Sequence, residues 1–192
     1  LIEAIDLWGV EIALQKIDGM FAFAVWDQKT RSLTLARDRI GEKPLYYGWQ
    51  GKGENKVFLF GSELKALKVH PEFNREISRD AIALQLRHLC IPAPYSIYKD
   101  IYKLLPGHYL QLSENDLKKN LLPNSKSYWS LTEKAIYGNN NRLNLEEKDI
   151  QKELEKFLLT SVKKQMISDV PIGVFLSGGI DSSTVAALMQ SQ

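Results

Sequence analysis

Cysteine and histidine, the residues of disulfides and most zinc sites, are scarce in this sequence. Cys90 is the only cysteine among the 192 residues, so no disulfide can form within the chain and no cysteine cluster can hold a metal. The three histidines, His70, His88 and His108, are scattered without the spacing of metal ligands. This cysteine usage fits a reducing environment, and we expect a cytoplasmic location.

Long apolar runs and a strong charge bias are also missing. No run approaches the roughly 20 apolar residues that a membrane-spanning helix needs, and the first residues lack the basic segment that begins a signal peptide. The formal net charge is +2, from 25 basic and 23 acidic residues, which is too small to indicate a polyanionic partner. We therefore expect neither a membrane nor a nucleic acid among the partners of the protein.

The first 130 residues combine short strand-like runs with a few helices. Alternating or dense apolar runs predict strands over residues 20–26, 33–36, 45–49, 57–60 and 107–112. The first two strands and the next two are separated by polar turns, which indicates two hairpins. Helical patterns cover residues 1–16, 63–69 and 79–89, the last of them preceded by Ser78 as N-cap. The pattern predicts an α+β domain with antiparallel sheets.

Several polar residues of this region are assigned to architecture. Arg37, Asp38 and Arg39 are predicted to form a buried ion-pair network, and residues 41–44 a fixed turn. Residues 20–26 are expected in the core. His108 is expected to be a surface or structural residue, and Cys90, at the end of a predicted helix, a buried small hydrophobe.

The second part of the chain has the pattern of a parallel α/β domain. Residues 131–144 include a polar run of glycine and asparagine and are predicted to be a linker. A helix capped by Asn144 is expected to follow, with apolar residues at helical spacing up to Met166. A short apolar strand over residues 171–176 and a helix from Ser182 onward complete the order. The predicted domains are thus residues 1–130 and 145–192.

The most specific motif is a glycine- and serine-rich turn between the last predicted strand and helix. A helix start offers unpaired N–H groups and the positive end of a dipole, and glycines let the backbone approach a phosphate closely. Serine hydroxyls can donate further hydrogen bonds. The sequence therefore predicts a phosphate-binding loop made of Leu176, Ser177, Gly178, Gly179, Asp181, Ser182 and Ser183.

Asp181 would repel a phosphate unless a cation lies between them. Mg²⁺ is bound in many sites by one or two carboxylates together with phosphate oxygens. We therefore predict that Asp181 is a Mg²⁺ ligand. The simpler alternative is a structural turn in which Ser182 caps the following helix. A Walker loop does not fit, because Gly179 and Ile180 stand where it has lysine and serine or threonine.

These residues carry a family resemblance. Residues 177–182, Ser-Gly-Gly-Ile-Asp-Ser, resemble the pyrophosphate loop of N-type ATP pyrophosphatases. Upstream, the run Asp-Gly-Met-Phe-Ala-Phe-Ala-Val-Trp-Asp at residues 18–27 resembles a strand of class II glutamine amidotransferases. Together the segments resemble the asparagine synthetase B family, in this order along the chain: residues 18–27, 37–47, 62–67, 105–108, 168–171 and 177–182.

The resemblance implies a fold and an activity. It implies an Ntn-hydrolase-type glutaminase domain followed by the start of an α/β ATP pyrophosphatase domain. In that family ammonia released from glutamine crosses a tunnel and amidates aspartate through a β-aspartyl-AMP intermediate, with ATP and Mg²⁺ as the cofactors. The expected partners are therefore aspartate, glutamine and ATP, and a homodimer is left open. Related amidotransferases acting on a sugar or peptide carboxylate, and β-lactam synthetase-like enzymes, are alternatives.

No catalytic residue of the glutaminase reaction is assigned. The family's nucleophile is an N-terminal cysteine, which would lie upstream of Leu1. Cys90 cannot replace it, because it carries no free α-amino group. We therefore expect a piece of a longer enzyme without a complete active site, whose last strand and helices fold poorly alone because a parallel sheet needs cover on both faces.

Overall fold

The computed structural model describes all 192 residues, which divide into two compact units, Leu1–Tyr137 and Gly138–Gln192. No helix is long and apolar enough to cross a membrane. The helices are α1 (Ile2–Lys16), α2 (Leu64–Leu67), α3 (Arg79–His88), α4 (Glu114–Lys118), α5 (Leu131–Asn140), α6 (Glu147–Gln165) and α7 (Ile180–Gln190). The strands are β1 (Ala22–Asp27), β2 (Ser32–Arg37), β3 (Tyr46–Gln50), β4 (Val57–Gly61), β5 (Tyr102–Lys103), β6 (His108–Ser113) and β7 (Lys126–Ser127).

The first unit contains two antiparallel sheets. The larger sheet has the order β1-β2-β6-β7 and the smaller one β4-β3-β5. The predicted hairpins are confirmed: Ala22 pairs with Arg37 at one end of the first, and Tyr46 with Gly61 at one end of the second. Antiparallel sheets with helices make an α+β unit, as the sequence predicts.

The main core lies between the two sheets. Leucine side chains from β2 and β6 meet Tyr47 of β3 and neighbouring leucines, because successive side chains of a strand point to opposite faces. The buried members of this cluster are Leu35, Leu45, Tyr47, Leu104, Leu110 and Leu112. On the other face of the larger sheet, Ala36 and Tyr109 pack against Leu14 of α1. The unit is therefore layered as helix, sheet, sheet.

The sequence analysis predicts one helix over residues 1–16, whereas α1 consists of two helical segments separated by a break. Gly9 has φ 76° and ψ 164°, so the backbone leaves helical geometry there and resumes it on the other side. Ala13 and Leu14, both fully buried, lie in the second segment. The first segment exposes Ile2 and Leu7. Glycine tolerates positive φ, which explains why the break falls at this residue.

Two expectations about burial are wrong. Residues 20–26 are not all core: Met20 is 49% exposed and Trp26 44%, because β1 is the edge strand of its sheet. Cys90 is exposed instead of buried. Helix α3 ends at His88, and Leu89 takes a left-handed conformation with φ 60°, so the chain turns over the surface there.

The second unit consists of two helices and an irregular connection. The predicted strand over residues 171–176 is absent, and Phe175 is 99% exposed. A parallel strand needs a neighbouring strand for its backbone hydrogen bonds, and this unit contains none. Helix α6 begins after Glu146, so Asn144 is not its cap, and it ends at Gln165. Neither α6 nor α7 has a buried residue.

The segment predicted as a linker is largely helical. Helix α5 covers Leu131–Asn140, where glycine and asparagine led us to expect a turn-prone stretch. The division between the two units falls within this helix, after Tyr137. The domain limits at residues 130 and 145 stay a prediction.

Candidate phosphate-binding site

The predicted phosphate loop lies at the start of α7. Gly179 is the N-cap of the helix, with φ −79° and ψ 162°. The first backbone bond of the helix joins the Ser183 N–H to the Gly179 carbonyl at 3.1 Å. The N–H groups of Ile180, Asp181 and Ser182 precede that bond and have no partner within the helix. Such a helix start attracts anions.

Gly178 makes the turn that leads into the helix. Its φ is +80°, a conformation in which a residue with a Cβ is strained. An added Cβ would meet nothing within 4 Å, so the glycine is required by backbone conformation and not by crowding. The open space around it leaves the turn accessible to a ligand.

Two serine hydroxyls close the loop. The Ser182 hydroxyl accepts a hydrogen bond from the Ser177 N–H at 3.3 Å, and the two hydroxyls lie 3.0 Å apart. Ser182 also donates to the Gly179 carbonyl at 3.2 Å. Ser182 is therefore inside the helix and bridges the turn, in contrast to the prediction that the helix begins with it. Ser177 and Gly179 are exposed, and Ser182 is partly buried.

Asp181 lies in the first turn of α7 and is exposed. The chain contains no group of three or more histidine, cysteine, aspartate or glutamate side chains that could hold a metal. Asp181 therefore offers one carboxylate, beside N–H groups and hydroxyls. This donor set fits a Mg²⁺–phosphate group, because Mg²⁺ takes one or two protein carboxylates and completes its octahedron with phosphate oxygens and water. Leu176 and Ser183 are the first and last residues of the predicted loop, and Leu176 is 65% exposed.

A second polar cluster, in the first unit, surrounds Asp38. This carboxylate is 1% exposed and accepts four backbone N–H groups, at 2.7 Å from Gly41, 2.9 Å from Glu42, 2.9 Å from Lys43 and 3.3 Å from Phe21. Burial alone would raise the pKa of Asp38, but the four N–H donors outweigh it and the pKa is lowered. Asp38 thus holds the turn over residues 41–44, which the sequence predicts to be fixed.

The predicted ion-pair network of residues 37–39 is wrong. Arg37 donates to the carbonyl oxygens of Lys43, Leu104 and Gly41 at 2.8, 2.7 and 2.5 Å. Arg39 pairs outward with Asp18 at 2.5 Å. Arg37 is the last residue of β2, and successive residues of a strand point to opposite faces, so the side chains of Arg37 and Asp38 have separate partners.

Sequence reasoning missed Tyr128. Its hydroxyl donates to the Arg37 carbonyl at 2.8 Å, and burial raises its pKa to about 12. The Gly107 carbonyl accepts the N–H groups of Tyr128 and Trp129 at 2.9 and 3.2 Å. No motif marks a single tyrosine of this kind. His108, expected to be structural, contacts the Pro106 carbonyl at 2.8 Å.

An antiparallel α+β unit, followed by a glycine–serine turn at a helix start, is consistent with the amidotransferase class expected from the sequence. Comparison with known families agrees with this class. A glutamine amidotransferase domain matches residues 1–129 and asparagine synthase matches residues 153–192. The chain belongs to the glutamine amidotransferase domain family, in combination with the start of an asparagine synthase domain.

Three relatives illustrate the range of the similarity. Putative asparagine synthetase [glutamine-hydrolyzing] 2 of Methanocaldococcus jannaschii is 38% identical over 92% of this chain and 32% of its own length. Asparagine synthetase [glutamine-hydrolyzing] 3 of Bacillus subtilis is 33% identical over 93% and 26%. Amidase chyE of Penicillium rubens is 34% identical over 92% and 24%. The chain spans about a third or less of each relative's length.

Proposed function

We propose that these 192 residues belong to a glutamine-hydrolysing asparagine synthetase, a ligase that amidates aspartate with nitrogen from glutamine at the expense of ATP. The observation that carries the proposal is the loop at the start of α7, with Gly178 at φ +80° and unpaired N–H groups behind it. The order of the two family matches along the chain supports it. The first unit then belongs to the nitrogen-supplying domain, and the second to the ATP-using domain.

Each loop residue has a role in this proposal. The N–H groups at the start of α7 receive phosphate oxygens of ATP, and the Gly178 turn lets them approach. The Ser177 hydroxyl, 3.0 Å from that of Ser182, is a further donor, while the Ser182 hydroxyl holds the turn by donating to the Gly179 carbonyl. Asp181 would hold Mg²⁺, which neutralises phosphate charge when bound. The remaining loop residues, Leu176, Gly179 and Ser183, set the backbone path.

The test uses the whole protein that carries these residues. Pyrophosphate release is measured with ATP, glutamine and aspartate, for the wild type and for a variant with Ser177→Ala and Asp181→Ala combined. Loss of preorganised donors to a reacting phosphate costs on the order of a hundredfold in rate. Ser191→Ala is the matched control, since its hydroxyl bonds the Leu188 carbonyl at 2.9 Å at the far end of the same helix. A normal rate in the double variant would remove the loop from the reaction.

Asp181→Asn separates metal binding from phosphate binding. The amide keeps the shape of the side chain but loses the negative charge that a hard cation prefers. We expect the Mg²⁺ concentration that gives half-maximal pyrophosphate release to rise by about tenfold or more, because the ion loses at least one charged ligand. An unchanged Mg²⁺ dependence would contradict the assignment of Asp181 as a ligand.

A second candidate function is amidation of a different carboxylate. Amidase chyE is as similar to this chain, at 34% identity, as synthetase 3 of Bacillus subtilis, at 33%, so overall similarity does not select the acceptor. Product formation should be compared for aspartate, a sugar carboxylate and a peptide carboxylate under the same conditions. A β-lactam synthetase-like enzyme would form its product without releasing glutamate from glutamine.

A further inference from the structure

A surface hollow of about 440 Å³ lies beside the turn between β3 and β4, wholly within the first unit. The end of β3 and that turn form it together with the segment between α2 and α3, the chain at β5 and the chain after α4. We call it the Trp49 hollow. Sites for small molecules commonly have volumes of about 300–1,000 Å³, so the Trp49 hollow is large enough for a metabolite. It contains no residue of the phosphate loop.

Side-chain hydrogen bonds hold the walls of the Trp49 hollow in place. Gln50 is 3% exposed; its amide donates to the Lys99 carbonyl at 3.2 Å, and its side-chain oxygen accepts the Asn74 N–H at 2.7 Å. The Trp49 indole N–H donates to the Leu121 carbonyl at 3.0 Å. These bonds tie the end of β3 to three segments that are distant in the chain. A site that is already ordered loses less conformational freedom when a ligand binds.

Three charged side chains line the Trp49 hollow: Lys52, Lys56 and Asp100. None of them forms an ion pair with another residue of the chain. Glu76, whose charge interacts with that of Lys52, is already paired with Lys99 at 2.5 Å. Two positive groups and one negative group are therefore available to a ligand.

We infer that the Trp49 hollow binds a free acidic amino acid. Aspartate and glutamate carry two carboxylates and one ammonium group, so each charge of the ligand meets an opposite charge among the two lysines and the aspartate. The rings of Trp49 and Tyr102 offer an apolar surface to the methylene groups of the ligand, and the Asn120 amide can both donate and accept. This binding does not depend on the proposed function, because it involves none of the phosphate-loop residues.

Tryptophan fluorescence of the whole protein measures the binding, without ATP so that no amidation takes place. Trp49 lines the hollow, so its emission reports on a ligand there, and Trp49→Phe identifies its share of the signal. Aspartate and glutamate should each give a saturable change that Trp49→Phe abolishes, with a dissociation constant of about 1 mM, since contacts with exposed charges are weak. Asparagine, which has one carboxylate, and succinate, which has no ammonium group, should each bind about fivefold more weakly than aspartate.

Two variants test the charges separately. Lys56→Gln should remove the preference for aspartate over asparagine, because the second carboxylate loses its partner. Asp100→Asn should remove the preference for aspartate over succinate, because the ammonium group loses its partner. Lys68→Gln is the matched control: the Lys68 ammonium lies 5.8 Å from the centre of the Tyr98 ring, as that of Lys56 lies 5.9 Å from the Trp49 ring, but outside the hollow. It should keep both preferences.

Two results would overturn this assignment of the Trp49 hollow. One is the absence of a saturable, Trp49-dependent change up to about 10 mM aspartate or glutamate, ten times the expected dissociation constant. The other is equal binding of aspartate, asparagine and succinate, because the charges of the hollow would then not select the ligand. Lys52→Gln repeats the lysine test if circular dichroism shows that Lys56→Gln folds poorly. A protein that binds aspartate in this way but forms no asparagine would contradict the proposed function alone.

Discussion

Replacing Asp38 by asparagine should destabilise the first unit strongly. The asparagine side chain has nearly the same shape, but one of its two oxygens becomes an NH₂ group that cannot accept. The four N–H groups around the carboxylate are divided between its oxygens: Gly41 and Glu42 bond to one, Phe21 and Lys43 to the other. Whichever way the amide is turned, two buried N–H groups face a donor.

The expected loss follows from these bonds. Hydrogen bonds to a charged acceptor contribute about 1.5–3 kcal/mol each, and an unsatisfied buried donor costs about 1–3 kcal/mol. Partial relaxation of the loop reduces the sum, so we expect about 3 kcal/mol. With a urea slope of about 2 kcal/mol per molar, the midpoint of unfolding should fall by roughly 1.5 M.

Tryptophan fluorescence measures this loss selectively. The four tryptophans, Trp8, Trp26, Trp49 and Trp129, all lie in the first compact unit. Urea unfolding followed at their emission therefore reports on that unit, while far-UV circular dichroism adds the helices of the second. Asp27→Asn is the matched control: its carboxylate is exposed and accepts the Lys29 and Thr30 N–H groups. We expect it to leave the urea midpoint close to that of the wild type.

The pH dependence gives an independent check. Because the pKa of folded Asp38 is lowered from its ordinary 3.8, its contribution is complete above that pH and is lost as the pH falls through the folded value. The difference in stability between wild type and Asp38→Asn should therefore narrow on acidification. A urea midpoint for Asp38→Asn within about 0.2 M of wild type at pH 7, close to experimental error, would refute the reasoning.

Three further predictions concern the same unit. Gly48→Ala should cost about 2–3 kcal/mol in urea unfolding, because its Cβ would collide with the Asp100 carbonyl; wild-type stability would contradict the close approach of the two segments. Ser78→Ala removes the cap bond to the Ala81 N–H at 3.3 Å and should cost about 1 kcal/mol, measured by circular dichroism. Since the pKa of Tyr128 is raised from 10.0 to about 12, its contribution is complete below pH 10 and is lost as the pH rises through 12. Tyr128→Phe should lack that alkaline loss, and an identical pH profile would disprove it.

The sequence predicts the structure correctly where residues close together in the chain determine it. The two hairpins follow from apolar runs separated by polar turns, and Ser78 caps α3 as its position predicts. Residues Ser113 and Asp116 form a capping box at the start of α4. That spacing is visible in the sequence, but it directly follows the apolar strand pattern of β6, which hides the start of a short helix.

The elements that the sequence does not predict depend on contacts with residues far away in the chain. Strands β5 and β7 are two residues long and exist only because β3 and β6 pair with them, so no periodicity reveals them. The predicted strand over residues 171–176 fails for the opposite reason, since no partner is present. The environment of Asp38 depends on Phe21, which is 17 positions away. At the predicted phosphate loop the sequence shows the residue types, but the contact between the Ser177 and Ser182 hydroxyls depends on how the turn folds.

Strand β6 runs through the larger sheet with β2 on one side and β7 on the other. Leu110 and Leu112 enter the layer between the sheets, and Tyr109 enters the layer beneath α1. Inserting or deleting a single residue here would exchange the two sets, placing Gln111 where leucines now lie. Natural variants of this strand should therefore change in chemical identity far more readily than in length.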